Sequence, residues 1–363
     1  MSVAFDDQVI RTPWGPLERW TADMLRTVGI ESEDAALASR ILVRTDARGF
    51  HTHGLTRLKS YLEKLRTGEI APRGALVTRV KGVVCDINAA GTLGQIAGPK
   101  AVDIAINLAN DAPVVVCQLQ DAGHLGALGL HVLRAAESGL VALMFQATPP
   151  VMGMAGARKP LIGNNPLAMA APRPNGPPIV VDMACCVAAR GNVLNAARNR
   201  RQIPEGWALN NAGMPTTDAE AALGGMLLPF GLHKGMGLAM IVEILAGSLA
   251  GVTFQNSMGD GTGGVRSGTG HMNALIIVLN PRLMQGQDSY DAHVAAWTDH
   301  FVDEGGLGAR IPGHRAHDEE LQSKQLGVPL LKSIVRELIM EGATAGIPFP
   351  THGADHASAS LQS

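Results

Sequence analysis

The sequence predicts an α/β protein with a mostly buried sheet and a helical layer beside it, on three observations. Apolar residues recur at helical spacing through the first 78 residues. From about residue 79, short apolar runs alternate with helical stretches. Helical periodicity then returns near the C-terminus. A length of 363 residues suggests two domains and allows a large core. The expected division is a helical domain, 1–78 with 318–363, and an α/β domain, 79–317.

In the first helix, Leu17, Trp20, Met24, Leu25 and Val28 share a face. Ser32 is placed as the cap of a second helix, with Glu33 and Asp34 at the favourable end of its dipole. Leu55, Leu58, Leu62 and Leu65 line a third, closed by Gly68. Pro113–Leu119, Leu140–Gln146, Ile179–Asp182 and Ala274–Asn280 read as buried strands. Between them, Ala97–Leu108, Leu128–Glu137, Cys185–Asn199 and Lys234–Leu249 read as helices. Residues 254–271 read as a loop. Beyond it, Tyr290, Val294, Trp297 and Phe301 share a helical face, Leu331–Met340 is helical, and Phe349–Ser363 reads as a tail.

Composition excludes several classes. Hydrophobic residues make up 46% and charged residues 17%, a globular balance. The net charge is −2 and no basic stripe occurs, so a nucleic-acid partner is not expected. The longest apolar stretch, Met236 to Leu249, is broken by Glu243 and is too short to span a bilayer, so no membrane association is expected. Met1 to Arg11 lacks an apolar signal-type segment. The four cysteines, Cys85, Cys117, Cys185 and Cys186, show no CxxC spacing and read as buried thiols of a reducing compartment. The expected location is the cytoplasm.

Gly259, Gly261 and Gly264 satisfy a Gly-x-Gly-x-x-Gly pattern, but Val265 to Gly270 cannot open the helix a pyrophosphate would need, so a surface loop is expected there. Two of the twelve histidines fall in the run from Arg48 to Arg57, as His51 and His53. Arg57 offers a guanidinium fork for a carboxylate, and a histidine titrates in the range a proton donor needs. Structural roles, or metal ligation by His51 and His53, stay open; no third ligand is evident nearby, so no metal is expected. His124 follows a predicted strand, where α/β sheets place ligands; a loop role is the alternative. The turn Gly163–Pro166 is open to a structural reading through its Asn side chains. Asp182, at a strand end, either caps the following helix or meets a ribose hydroxyl. His233 and Lys234 open an apolar helix, where a cation opposes the dipole unless an anion sits there.

Taken together, these segments resemble the malate/L-lactate dehydrogenase family, also called type-2 lactate dehydrogenases or sulfolactate-dehydrogenase-like oxidoreductases. The resemblance runs from about Ala35 to Gly313. It rests on Asp46-Ala47-Arg48-Gly49, His53-Gly54 with Arg57, the run Gly123 to Ala127, the turn from Gly163, Val181 to Ala184, Ile203 to Ala208, Pro215 to Asp218, and Leu228 to Gly235. It implies a non-Rossmann fold with a mixed sheet, a homodimer, and NAD or NADP as cofactor. The implied activity is reversible hydride transfer between a 2-hydroxy acid and a 2-keto acid, on a small substrate bearing a carboxylate. Cyclic-imine reduction on the same scaffold is the alternative. By resemblance, His53 is the proton donor with Thr52 beside it, and Arg57, with Arg48, holds the substrate. His124 lies by the nicotinamide and serves as acid/base in some members. His124, Leu125, Gly126, Asn164, Asp182, Met183, Ala184, His233, Lys234, Arg310 and Gly313 fall on cofactor-contacting positions.

Three departures from the family pattern stand out. Thr52 replaces a serine, Asn164 a threonine, and Cys185-Cys186 a Thr-Ser pair. In the imine branch an Asp assists the histidine. If that position is Asn192, it lacks the charge; if it is Asp182, the charge is present.

Overall fold

The alternating apolar runs become a layered chain in the computed structural model, which describes residues 9–74, 76–251 and 272–350, residue 307 in backbone only. In chain order the elements begin with β1 (Val9–Thr12), α1 (Trp14–Arg26), α2 (Ser32–Ala47), a 3-10 turn (Leu55–Arg57) and α3 (Leu58–Arg66). Then come β2 (Val77–Lys81), β3 (Val84–Asn88), α4 (Gly94–Ala109), β4 (Val114–Ala122), α5 (Leu128–Glu137) and β5 (Val141–Ala147). Next are β6 (Leu167–Ala171), β7 (Ile179–Met183), α6 (Arg190–Arg198), β8 (Ala208–Leu209), β9 (Pro215–Thr216), α7 (Ala219–Leu223) and β10 (Met226–Leu227). Helix α8 (His233–Val242) runs into a π-helical stretch (Glu243–Ser248). After it follow β11 (Met272–Leu279), α9 (Pro281–Met284), α10 (Gln287–Glu304), α11 (His314–Leu326), β12 (Val328–Leu331) and α12 (Lys332–Ala345). The chain divides into two compact units, residues 1–73 with 313–363 and residues 74–312.

The larger unit is α/β with a mixed, seven-stranded sheet in the order β2-β3-β4-β11-β5-β6-β7. Within it β3 and β4 run parallel and the other neighbours antiparallel. Alternation in β4 and β5 sends Val115, Cys117, Leu119, Ala142 and Met144 into one core with Leu125, Leu128 and Val132. Small residues on α4, among them Ala97, Ala101 and Ala105, let that helix lie close to the sheet. A second cluster gathers Met152, Cys185, Val193, Ile203, Leu227 and Ala239 around the three-stranded sheet β10-β8-β9. All four cysteines are buried and free.

In the smaller unit Leu17, Trp20, Met24, Leu25, Leu42, Leu58 and Leu62 are buried, each leucine contributing about 2 kcal/mol. β1 pairs antiparallel with β12, from Val9↔Leu331 to Thr12↔Val328, and so joins the two ends of the chain.

Several sequence expectations need correction. Ser32 is the first helical residue of α2, and Glu31 holds the cap position. Residues 185–189 are not helical, because Cys186 pairs antiparallel with Pro229 and the Val187 N–H donates to the Leu228 carbonyl at 2.9 Å; α6 starts only at Arg190. The helix expected through Tyr290, Val294, Trp297 and Phe301 is present as α10, with Val294 buried and Trp297 and Phe301 exposed. Phe349, expected in a tail, is buried with its ring edge-on to Trp20 at 4.9 Å. The glycine-rich stretch at 254–271, the segment 1–8 and the tail from 351 lie outside the described residues.

Candidate functional site

The smaller unit carries the His-Gly…Arg segment as a tight loop between α2 and the 3-10 turn. The His53 N–H donates to the Phe50 carbonyl (2.9 Å) and the Arg57 N–H to Gly54 (2.9 Å), which coils the segment on itself. The Thr52 hydroxyl lies 2.8 Å from His53 Nδ1 and so helps to hold the ring. Arg57 Nε donates to the Thr52 carbonyl (2.9 Å), which aims the guanidinium from the same loop. Both side chains are half-buried. Burial, with the Arg57 cation adding to it, pushes the His53 imidazole down to about 4.

Beneath that loop lies Asp46, 1% exposed in the last turn of α2. Its Oδ2 accepts the Leu55 N–H (2.7 Å) and its Oδ1 lies 3.1 Å from His51 Nδ1. Burial raises the Asp46 carboxyl above its ordinary range, against the opposing effect of those two partners. Burial disfavours the His51 cation, but the bond and charge of Asp46 overcome this and raise its imidazole. His51 is therefore committed to Asp46. Arg48, expected to help hold substrate, is 3% exposed and forms an ion pair with Glu320 on α11. Arg44 Nε joins the pair at 3.0 Å from Glu320 Oε1. Burial opposes the Glu320 charge, but the two guanidiniums outweigh it and hold the carboxyl below its usual range. Arg48 thus fastens α2 to α11.

The larger unit gathers most of the expected cofactor positions. His124, Leu125 and Gly126 form the loop after β4, with Gly126 at φ +77°. Gly94 lets α4 approach this loop, since a Cβ there would lie 2.2 Å from the His124 carbonyl oxygen. Gln95 Nε2 also donates to that oxygen, at 3.3 Å. His124 is half-buried. The Leu125 side chain is wholly buried in the core, and its carbonyl lies 2.9 Å from His131 Nε2, so only its backbone N–H is left to meet a ligand. Asp182 caps a helix, but not the one that follows it in sequence: its Oδ2 accepts the Gly129 N–H of α5 at 2.7 Å. Burial pushes its carboxyl up to about 6. Met183 and Ala184, at the end of β7, are half-buried.

Asn164 Oδ1 accepts from the Thr148 hydroxyl (2.8 Å). The next residue, Asn165, is wholly buried at φ +32° and is the hub of this turn. Its Nδ2 donates to the Ala239 carbonyl (3.0 Å) and to Glu243 Oε2 (2.9 Å), and its Oδ1 accepts the Thr148 N–H (3.0 Å). Glu243, the polar break in the longest apolar stretch, thus ties the Asn164 turn to α8. At the head of α8, His233 and Lys234 are exposed behind Leu232, which takes φ +53°. Arg310 is exposed just before Pro312, whose carbonyl accepts the Val180 N–H at 3.0 Å, and Gly313 caps α11 at φ +95°. Asn192 is half-buried in the first turn of α6.

Asp46, His131, Asn165, Glu243 and Glu320 hold these sites and were not singled out as site residues from sequence. Glu243 carried a signal, as a lone charge in an apolar helix, and Asn165 stood inside a motif. Among the described residues, no three His, Cys, Asp or Glu side chains are grouped to hold a metal, and no helix is long and apolar enough to cross a membrane.

A mixed α/β sheet with this His-Gly…Arg loop defines an oxidoreductase scaffold, and the chain belongs to the malate/L-lactate dehydrogenase family, which it matches over residues 13–339. It is 35% identical to the (2R)-3-sulfolactate dehydrogenase (NADP(+)) of Chromohalobacter salexigens, over 81% of this chain and 86% of that one. It is 34% identical to the Delta(1)-pyrroline-2-carboxylate/Delta(1)-piperideine-2-carboxylate reductase of Pseudomonas putida, over 93% and 98%. Among solved structures, sulfolactate dehydrogenase from Methanocaldococcus jannaschii superposes with a TM-score of 0.82 at 28% identity, covering 94% of this chain and 98% of that one.

Proposed function

We propose that this chain catalyses reversible hydride transfer between a nicotinamide cofactor, NAD or NADP, and a small 2-hydroxy acid/2-keto acid of the malate/lactate type. The observation that carries the reading is the Thr52–His53–Arg57 loop, in which one short segment orients both an imidazole and a guanidinium. Arg57 binds the substrate carboxylate as a fork. His53 Nε2 delivers a proton to the substrate oxygen as the carbonyl is reduced, with Thr52 fixing the ring through Nδ1. The Arg57 cation is one of the two causes that depress His53. A carboxylate on Arg57 offsets the smaller of the two, so substrate binding favours the protonated ring.

A bound reduced nicotinamide supplies the hydride. The residues of the larger unit suit such a group. The exposed His233 and Lys234 sit in the first turn of α8, where an anion offsets the conflict of the Lys234 charge with the dipole. Asp182, Asn164 and the backbone of the 124–126 loop offer polar atoms for ribose and amide groups. The exposed Arg310 guanidinium suits a phosphate. A non-Rossmann nucleotide site fits a sheet with one parallel pair, in which no Gly-x-Gly-x-x-Gly turn joins a strand to a helix among the described residues. A cytoplasmic homodimer is part of the same proposal. The apolar side chains of Leu232, Met240, Ile241, Ile244 and Leu249, exposed along one segment, support a partner copy, and the four free thiols support a reducing compartment.

A second reading, reduction of a cyclic imine carboxylate, is favoured by the names of relatives such as the Pseudomonas putida reductase. The uncharged Asn192 counts against it if that position is the one that assists the histidine. The deciding test is absorbance at the nicotinamide band with NADH and NADPH separately, against a panel of 2-keto acids plus pyrroline- and piperideine-2-carboxylate. Oxidation with a keto acid is the expected result. Oxidation with imines alone selects the second reading, and silence without cofactor binding overturns both.

A further inference from the structure

We infer that Asp46 is the positioning residue of the substrate loop, the group around which Gly49–Leu55 folds so that His53 and Arg57 are held at their working angles. The inference rests on the reading of His53 and Arg57 given above and concerns a residue that touches neither substrate nor cofactor in that scheme.

A carboxylate is costly where Asp46 stands. It is 1% exposed, so it has lost its water. It also lies in the last turn of the 16-residue helix α2, where the negative end of the dipole opposes an anion. Neither placement helps α2, whose core face is made by Ala35, Ala38, Leu42 and Val43. What compensates the carboxylate is the loop. Oδ2 takes the N–H of Leu55, the first residue of the turn that carries Arg57, at 2.7 Å, and Oδ1 takes His51 Nδ1 at 3.1 Å, two residues before His53. The loop is clamped on both sides of His53 by one side chain. Gly54 has the shape this clamp requires: a Cβ there would lie 2.2 Å from Oδ2 and 2.7 Å from Oδ1. The chain from clamp to chemistry is short, since Arg57 Nε rests on the Thr52 carbonyl and the Thr52 hydroxyl on His53 Nδ1. The other charges that act on His51 are Glu319, which supports its proton, and Arg315, which opposes it, both on α11.

The experiment is a cycle on the full-length protein, combining Asp46→Asn with His53→Ala, read by kcat and KM with the active keto acid and by ring ¹⁵N shifts of His51 and His53. Asparagine keeps the size of the side chain and the acceptor for Leu55 but removes the charge that His51 answers. We expect Asp46→Asn to lower kcat/KM about 10- to 100-fold, through both kcat and KM. We expect no further loss of kcat when it is added to His53→Ala, because it acts through that ring. The His51 midpoint should fall below its ordinary value. Gly54→Ala, which leaves the carboxylate in place and pushes the loop off it, should reproduce the kinetic loss. The proposal is overturned if Asp46→Asn keeps wild-type kcat and KM, or if it cuts kcat by the same factor in the His53→Ala background. If the wild-type protein reduces no substrate, the reading of His53 fails. The ring shifts then decide for Asp46 alone: unmoved His51 and His53 signals in Asp46→Asn reject the clamp, and displaced signals support it.

Discussion

The two units bury polar groups by opposite means. In the smaller, buried charges answer one another: Arg44 and Arg48 on Glu320, His51 on Asp46. In the larger, buried polar side chains mostly meet backbone: Asp182 on the Gly129 N–H, His131 on the Leu125 carbonyl, Asn165 on the Ala239 carbonyl. The difference follows from what each must present. A loop that offers a cation and a proton donor needs a charged, stiff scaffold, because charge-assisted bonds are the strong ones. In the larger unit the bonds to backbone fix loop and helix ends.

The largest effects expected are on chemistry in the smaller unit. His53→Ala should cost about 10²- to 10⁴-fold in kcat, the usual worth of a placed acid/base, with cofactor affinity by fluorescence titration almost unchanged. Arg57→Ala should act mainly on KM. A His53→Ala enzyme with near wild-type turnover would transfer the proton-donor role to His124.

Next in size is the ionic scaffold. Glu320→Leu strands two guanidiniums, one of them 3% exposed, and should destabilise the protein by about 3–5 kcal/mol in urea unfolding. The double variant Arg48→Met/Glu320→Leu removes both members of the buried pair and should recover much of that loss, since apolar replacements of buried ion pairs are often near neutral. A double variant no better than the single would mean that the pair shapes the fold in a way packing cannot replace.

These contrasts also show what a one-dimensional reading can reach. The helices α1, α3, α4 and α5 and the strands β4, β5, β7 and β11 were legible because each carries its own periodicity. The loop around His53 and the turn around Asn164 were legible because their residues are adjacent in sequence. What escaped was imposed from far along the chain. β1 and β12 are four-residue strands that specify each other only as a pair. The non-helical stretch at 185–189 looks helical until Leu228 and Pro229, some forty residues on, pair with it. The ion pair of Arg48 was hidden because its partner, Glu320, stands 272 residues away. Asp182 looks like the cap of the next helix, when the open N–H it meets belongs to α5.

The larger unit should reveal itself in acid. His131 is wholly buried, and its imidazole is pushed down to about 4 from the ordinary 6.5, mainly by burial. Below 6.5 the unfolded chain takes up a proton that folded His131 refuses. Stability is therefore lost as the pH falls from 6.5 to 4, by an amount on the order of 3 kcal/mol. His131→Asn should lower stability at pH 7 slightly and flatten that loss. An unchanged slope between pH 7 and 4.5 in urea titrations would show that this histidine titrates as in water.

Asp182 should give the smallest effect, and one of opposite sign. Its carboxyl is pushed up to about 6 from 3.8 by burial, so below pH 6 the folded state binds a proton before the unfolded state does. Acidification from 6 to 3.8 therefore adds stability at Asp182 while it removes stability at His131, and the two trends partly cancel in the wild-type protein. Asp182→Asn keeps an acceptor for the Gly129 N–H and removes the ionisable group. It should raise stability at pH 7 by about 1–2 kcal/mol, since the residue is partly exposed and water screens part of the cost, and it should steepen the acid loss left by His131. If the variant is instead less stable at neutral pH, the ionised carboxylate is worth more to the N-terminus of α5 than its burial costs, and the bond to Gly129 is a charge-assisted cap of the kind that otherwise distinguishes the smaller unit.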